Sequence, residues 1–143
     1  MKKVLFICVH NAGRSQMATA FFNQMARGKA VALSAGTRPA PNVNPVVVEA
    51  MKEVGIDISN EKPKMLTFEM VDKSDIAITM GCTEEGDSCP AIFIPSEDWK
   101  LEDPAGKHIE EVRPIRDEIK RRVGLLIERL MSVDANSVAK DVE

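Results

Sequence analysis

The sequence lacks the features that mark nucleic-acid-binding, membrane and secreted proteins. Its net charge is only −3, so no surplus of basic residues favours nucleic acid as a partner. No apolar run approaches the roughly 20 residues that a membrane-spanning helix needs. Lys2 and Lys3 precede an apolar run that soon meets polar residues, which does not fit a signal peptide. We therefore expect a cytoplasmic protein that binds neither nucleic acid nor membrane.

Cysteine is also scarce, with three residues in the chain: Cys8, Cys82 and Cys89. Three cysteines are too few for a disulfide framework, and an odd number leaves at least one of them unpaired. In a reducing compartment, the expected use of such residues is nucleophilic or redox chemistry.

The remaining composition predicts one soluble domain. The 143 residues are 44% hydrophobic and 29% charged, enough for a single substantial core. Short β-branched runs alternate with segments of helical periodicity, which predicts an α/β fold: an open parallel sheet of about four strands flanked by helices. We expect this domain to cover residues 1–133 and a frayed tail to cover 134–143. The predicted strands are 3–7, 29–33, 76–80 and 91–94, and the predicted helices are 15–27, 45–54, 66–73 and 109–131.

One loop combines a nucleophile with groups that bind an anion. It follows the first predicted strand and opens the first helix, so its N–H groups and the helix N-terminus can converge on an oxyanion. Arg14 adds a planar charged fork, and this positive field favours the thiolate of Cys8. The Ser15 hydroxyl can donate to that thiolate, and the Asn11 side chain can hold an unusual loop backbone. The alternative is a buried cysteine at a strand end beside an exposed arginine. The proposed anion-binding loop comprises Cys8, Val9, His10, Asn11, Ala12, Gly13 and Arg14.

Several stretches of the chain, from residue 3 to about 130, match a known family. They are Cys8-x5-Arg14-Ser15-Gln16-Met17-Ala18, Ser34-Ala35-Gly36-Thr37, residues 49–59, Asp103-Pro104-Ala105-Gly106-Lys107 and residues 112–119. In these stretches the chain resembles the low-molecular-weight protein tyrosine phosphatase superfamily, and within it the thioredoxin-coupled arsenate reductases. The resemblance implies a phosphatase-like fold and reduction of arsenate to arsenite, with phosphate and sulfate as substrate analogues.

The resemblance also implies a role for each site residue. Cys8 would attack arsenate, and Asp103 would protonate the leaving oxygen; without Cys8, Asp103 would be interpreted as a solvated turn residue. Cys82 and Cys89 would form a disulfide relay that a thioredoxin-like protein regenerates, with no bound cofactor. Positions seven apart in a helix are separated by about 10 Å, whereas a disulfide needs Cα atoms within about 7 Å. Residues 82–89 would therefore have to unwind or loop out.

The chain departs from the family pattern at several positions. His10 stands where many relatives have glycine, and Gly13 stands where the phosphatases often have a second cysteine, which excludes a cysteine relay within the loop. Some reductases bind potassium beside the loop, where Asn11 and Ser34 could contribute. Lysines, Lys62 and Lys64, occupy the positions of the other oxygen ligands, so no metal is predicted.

Alternative functions use parts of the same residue set. A phosphomonoester phosphatase would need only Cys8, Arg14, Ser15 and Asp103, although Ala105 replaces the aromatic residue common in phosphatases of this fold. A zinc site or thiol sensor could use the three cysteines with His10, but their spacing matches none of the usual zinc patterns. The loop could also bind phosphate or sulfate without catalysing a reaction.

Overall fold

The structure, a computed structural model, describes residues 1–80 and 94–142. In this part of the chain, strands and helices alternate as an α/β fold requires. The elements are β1 (Lys2–Cys8), α1 (Arg14–Ala26), β2 (Ala30–Gly36), α2 (Pro45–Lys52), α3 (Phe68–Asp72), β3 (Ile76–Thr79), β4 (Ser96–Asp98) and α4 (Ile109–Val142).

The strands form one parallel sheet in the order β2-β1-β3-β4. The chain leaves β1 in one direction to reach β2 and returns across β1 to reach β3, so the topological switch point lies at the carboxyl end of β1. Ligands of open α/β sheets bind at such switch points. Cys8 is the last residue of β1, opposite Gly36 of β2, and the sheet therefore places the predicted nucleophile at this position.

Alternating side chains of β1 pack against helices on both faces of the sheet. Val4, Phe6 and Cys8 belong to a buried cluster with residues of α1, α2 and α4. Leu5 and Ile7 belong to a second cluster on the other face, which includes residues of α3. A strand that is buried on both faces has a continuous apolar sequence rather than alternating apolar and polar residues. This is the buried strand that the sequence predicted for residues 3–7.

Two predicted helix starts are confirmed by their caps. Asn44 precedes Pro45, and its side chain accepts a hydrogen bond from the N–H of Val46. Thr67 precedes α3, and its hydroxyl oxygen accepts from the N–H of Met70. Side-chain caps of this kind satisfy N–H groups that helical hydrogen bonding leaves free.

The assignment of residues 95–108 to a loop was wrong in part. Ser96–Asp98 is the edge strand β4, and it pairs with β3 in the register Ala77↔Ser96 to Thr79↔Asp98. Its polar composition gave no strand signal, because pairing with a neighbouring strand rather than local propensity stabilises it. Most of the predicted strand 91–94 lies outside the described residues.

The last helix is longer than expected. Its predicted end was near Met131, but its backbone continues to Val142. Residues 132–142 contain no proline or glycine to end a helix, so the low apolar content of this stretch was a poor stop signal. No helix in the described ranges is long and apolar enough to cross a membrane.

Arginines of α4 hold the C-terminal end of α2. Arg113 and Arg116 both donate to the carboxylate of Glu53, and Arg116 also donates to the carbonyl of Ala50 at 2.9 Å. Hydrogen bonds from Arg113 and then from Arg116 lower the pKa of Glu53 from 4.5 to about 2. This clamp fixes α2, whose N-terminal cap Asn44 borders the cavity described below.

Candidate active site

A small cavity of about 40 Å³ lies at the carboxyl end of β1. Its size suits a small anion better than a large organic molecule. It brings together the loop after β1, the N-terminal cap of α2 and the segment before α4. The lining residues are Cys8, His10, Ala12, Gly13, Arg14, Asn44, Asp103, Pro104 and Ala105.

The carbonyl groups of the loop are held by donors outside it. Each carbonyl oxygen from residue 8 to residue 12 accepts a hydrogen bond of 2.8–3.3 Å from a donor outside residues 8–12. In a trans peptide the N–H lies opposite the C=O, so the N–H groups of residues 9–13 point away from these donors, as Asn11 N–H does toward Cys8 Sγ. These N–H groups make the loop suitable for an anion. The outside donors are the N–H groups of Thr37, Arg38, Ala40 and Asn44 and the side chain of Gln16.

Asn11 is the residue around which the loop turns. It is fully buried, and its φ of 51° lies in the left-handed region, which asparagine tolerates better than most residues. In this conformation its N–H donates to Cys8 Sγ at 3.2 Å. Its side-chain oxygen Oδ1 accepts from the N–H of Lys64 at 2.9 Å, which ties the loop to a segment that is distant in sequence.

A chain of hydrogen bonds with a defined direction ends at Cys8. The N–H of Lys64 can only donate, so the Asn11 atom that it contacts is the oxygen and the other is Nδ2. Nδ2 therefore donates to Ser15 Oγ at 2.7 Å. Because Ser15 Oγ accepts this hydrogen bond, its own proton is free to be donated to Cys8 Sγ, which lies 2.8 Å away. The backbone of Lys64 thus sets the direction of hydrogen bonds that stabilise a Cys8 thiolate.

Arg14 and Asp103 lie next to each other in the cavity lining. Arg14 is only 7% exposed, and its Nη1 donates to the carbonyl of Leu101 at 2.9 Å. Its Nη2 is 3.7 Å from Asp103 Oδ2, while Asp103 Oδ1 accepts from the N–H of Ala105. The carbonyl of Leu101 therefore holds the Arg14 guanidinium in place. The partly exposed Asp103 carboxyl lies beside the guanidinium at the cavity edge.

Glycines permit two close approaches around the loop. A Cβ at Gly36 would lie 2.6 Å from the carbonyl oxygen of Val9, where Arg38 also donates. A Cβ at Gly13 would lie 2.7 Å from Cγ of Pro104. The absence of a side chain at Gly13 therefore allows the Asp-Pro segment to approach the loop.

His10 lies at the exposed edge of the cavity. Its Nδ1 is 3.1 Å from the carbonyl oxygen of Arg38, which can only accept, so Nδ1 carries the proton. This contact anchors the ring to the segment that also holds the loop carbonyls.

Sequence reasoning named Cys8, Arg14 and Asp103, which line the cavity, but gave Asn44 only a capping role and missed several groups that support the loop. The segment 38–44 was interpreted only as an irregular loop, but N–H groups of this segment donate to loop carbonyls. The carbonyl of Leu101 that holds Arg14, and the buried side chain of Gln16, were also missed. A carbonyl acceptor leaves no mark in a sequence, because every residue has one.

The other predicted site residues, Cys82 and Cys89, lie outside the described residues. Within the described part of the chain, no group of three His, Cys, Asp or Glu side chains is arranged to hold a metal ion.

Comparison with known proteins identifies the family of this chain. Residues 3–137 match the description "Low molecular weight phosphotyrosine protein phosphatase". The chain belongs to the low molecular weight phosphotyrosine protein phosphatase family.

Similar members of the phosphatase family carry reductase names. An arsenate reductase of Staphylococcus xylosus is 40% identical over 121 residues, covering 83% of this chain and 91% of its own length. A glutaredoxin arsenate reductase of Synechocystis is 37% identical and covers 91% of this chain and 99% of its own length.

Solved structures of the family agree in fold. An arsenate reductase in its phosphate-binding state has a TM-score of 0.81 and 38% identity, covering 90% of this chain and 98% of that one. A thioredoxin-dependent arsenate reductase of Corynebacterium glutamicum has a TM-score of 0.76 and 38% identity, covering 93% of this chain and 63% of that one. The four-stranded parallel sheet is therefore the family fold, as the sequence predicted.

Proposed function

We propose that this protein is a cytoplasmic arsenate reductase that works through Cys8, Cys82 and Cys89 and is regenerated by a thioredoxin-like protein. The observation that carries the proposal is the loop after β1, in which Cys8 Sγ accepts from Asn11 N–H and contacts Ser15 Oγ. Similarity to arsenate reductases at 38–40% identity over most of the chain supports arsenate as the oxyanion. The protein needs no bound cofactor for this chemistry.

The first step forms a bond between sulfur and arsenic. The loop N–H groups and Arg14 hold the oxygens of arsenate, and the Cys8 thiolate attacks arsenic. One As–O bond breaks, and Asp103 supplies the proton with which that oxygen leaves as water. The position of Asp103 beside Arg14, 3.7 Å between Oδ2 and Nη2, supports this role because the leaving oxygen would be near both groups.

The second step reduces arsenic. The Cys82 thiolate attacks Cys8 Sγ, and the electron pair of the S–As bond passes to arsenic, which leaves as arsenite. The product is a Cys8–Cys82 disulfide, so the oxidation of two thiols balances the reduction of As(V) to As(III). Cys89 then attacks Cys82, forms a Cys82–Cys89 disulfide and releases the Cys8 thiolate.

The external reductant must supply a dithiol. A thioredoxin-like partner would attack the Cys82–Cys89 disulfide and reduce it by thiol–disulfide exchange. The thioredoxin-dependent relative supports this partner, whereas the glutaredoxin-named relative makes glutaredoxin the alternative. Both reductants should therefore be supplied to the purified protein separately.

Single substitutions of the three cysteines test the relay. With thioredoxin, thioredoxin reductase and NADPH, the wild-type protein should turn over arsenate repeatedly, and Cys8→Ser should form no arsenite. Cys89→Ser should form about one arsenite per protein molecule without added reductant, and Cys82→Ser should form none. If Cys89→Ser sustains thioredoxin-driven turnover at the wild-type rate, the relay is wrong.

A phosphatase activity is the second candidate. Cys8, Arg14 and Asp103 line the cavity, and Ser15 contacts Cys8 Sγ. These four side chains would suffice for hydrolysis of a phosphomonoester through a phosphocysteine, and the family name describes phosphatases. We expect slow hydrolysis of an aryl phosphate that survives Cys82→Ser but not Cys8→Ser. An absence of hydrolysis in the wild-type protein would exclude this activity.

A further inference from the structure

Gln16 is a buried residue whose side chain forms hydrogen bonds with Asn11 of the loop. It lies in the first turn of α1 and is only 4% exposed. Its side-chain nitrogen Nε2 lies 3.0 Å from the carbonyl oxygen of Asn11 and 3.2 Å from Asn11 Oδ1. Gln16 does not line the substrate cavity; it lines a separate cavity of about 140 Å³ behind the loop.

The surroundings of Asn11 fix the orientation of the Gln16 amide. The backbone oxygen of Asn11 can only accept, and Asn11 Oδ1 is identified as the oxygen by the N–H of Lys64. The Gln16 atom that contacts both oxygens must therefore be the NH₂ group. The Gln16 side chain is therefore the donor in both contacts with Asn11.

We propose that Gln16 is a positioning residue for the nucleophile. By donating to the backbone and the side chain of Asn11, it holds this residue at φ 51°, where its N–H points at Cys8 Sγ and its Nδ2 at Ser15. Gln16 touches neither substrate nor Cys8, so it acts through Asn11. For arsenate reduction the inference rests on the proposed function, but its effect on Cys8 can be measured without arsenate.

Two substitutions distinguish the loss of the hydrogen-bond donor at Gln16 from a change in the size of its side chain. Gln16→Met keeps a long unbranched side chain and removes the donor at every pH. Gln16→Glu keeps the shape; the ionised carboxylate cannot donate and faces two oxygens, whereas the protonated carboxyl can donate one hydrogen bond. The Glu variant should therefore recover as the pH falls, and the Met variant should not.

The measurement is the rate at which iodoacetamide alkylates Cys8 in the full-length reduced protein, followed by mass spectrometry of the Cys8 peptide. At the acidic end of the profile, where the thiolate is the minor form, the rate reports the thiolate population. We expect Gln16→Met to be slower by about tenfold there, as loss of about one net hydrogen bond implies. Gln16→Glu should approach the wild-type rate at acidic pH and fall below it as the carboxyl ionises.

The same experiment controls for other titratable groups near Gln16 and for loss of folding. Dividing each variant rate by the wild-type rate at the same acidic pH cancels the pH dependence that the two proteins share, including any contribution from Glu61 and Lys64, which line the cavity behind Gln16. Gln24→Met and Gln24→Glu, at an exposed position of the same helix, are the matched controls and should keep the wild-type rates. Circular dichroism melting identifies any variant that is unfolded during the assay.

The outcomes are distinct. A Gln16→Met rate equal to that of Gln24→Met overturns the inference, even if Gln16→Glu does not fold. Parallel pH profiles of folded Gln16→Met and Gln16→Glu also overturn it, because a role in packing alone would not depend on a donated proton. Failure of the wild-type protein to form arsenite would instead contradict the proposed function and leave the alkylation result to decide the role of Gln16.

Discussion

Replacing Asn11 by aspartate should reverse the hydrogen bond between residue 11 and Ser15, and so remove the hydrogen bond that Ser15 donates to Cys8. The substitution preserves the shape of the side chain, and one carboxylate oxygen can still accept from Lys64 N–H and Gln16 Nε2. The other oxygen replaces Nδ2, which lies 2.7 Å from Ser15 Oγ. Ser15 has one hydroxyl proton and must then donate it to the introduced carboxylate rather than to Cys8.

The magnitude follows from the bond that is lost. A hydrogen bond to a charged group contributes about 1.5–3 kcal/mol, which corresponds to about 10- to 150-fold in a rate or an equilibrium constant. The new negative charge near Cys8 also disfavours a second anion at Sγ. We therefore expect Asn11→Asp to slow single-turnover arsenite formation by at least about tenfold, and most strongly near neutral pH.

Two further variants isolate the cause. Asn60→Asp makes the same chemical change at an exposed turn and should keep the wild-type rate. Ser15→Ala removes the donor at 2.8 Å from Cys8 Sγ without adding charge. Because both changes remove the same hydrogen bond, combining Ser15→Ala with Asn11→Asp should slow the reaction by much less than the product of the separate effects.

Single-turnover arsenite formation is measured at a temperature where circular dichroism shows each variant to be folded, since a buried carboxylate also lowers stability. If Asn11→Asp forms arsenite within about twofold of Asn60→Asp, the direction assigned to the hydrogen-bond chain is wrong.

Three other predictions concern the cavity edge, the loop packing and the α2–α4 clamp. Asp103→Asn should slow single-turnover arsenite formation by about 100- to 10,000-fold, the usual range for loss of a general acid, and a loss of less than about threefold would exclude that role. Gly36→Ala should lower the free energy of unfolding by about 1–3 kcal/mol in urea titrations, because the methyl group would lie 2.6 Å from a backbone oxygen; unchanged stability would contradict this packing. The pKa of Glu53 is lowered from 4.5 to about 2, so its ionised form contributes stability that is fully present above pH 4.5 and is lost as the pH falls through about 2. Glu53→Gln should therefore melt below the wild-type protein at neutral pH, and the difference should disappear toward pH 2; a pH-independent difference would contradict the ion pair.

The sequence predicted the parts of the fold that depend on local pattern. The apolar run of β1, the capping residues Asn44 and Thr67 and the loop after Cys8 all had recognisable signals, and the structure contains each of them. The edge strand β4 had none, because a short polar strand is stabilised by its pairing with β3. The length of α4 was underestimated because a low content of apolar residues does not by itself end a helix.

The same division applies to the site. Cys8, Arg14 and Ser15 were predicted from residue type and spacing, and Asp103 from the family resemblance. The structure places Arg14 beside Asp103 and Ser15 beside Cys8. The supports of the loop depend on backbone N–H and C=O groups, such as the N–H of Lys64, which are present in every residue and cannot be located from sequence. The direction of the hydrogen-bond chain therefore required coordinates.

The three-cysteine relay is tested most directly by mapping disulfides after a single exposure to arsenate. Reduced protein is incubated anaerobically with arsenate and no external reductant, alkylated and digested, with a sample lacking arsenate as the control. The account predicts a Cys82–Cys89 disulfide and about one arsenite per molecule in the wild-type protein, and neither in Cys8→Ser. A Cys82–Cys89 disulfide that forms equally in Cys8→Ser, or arsenite formed without any disulfide, would contradict it.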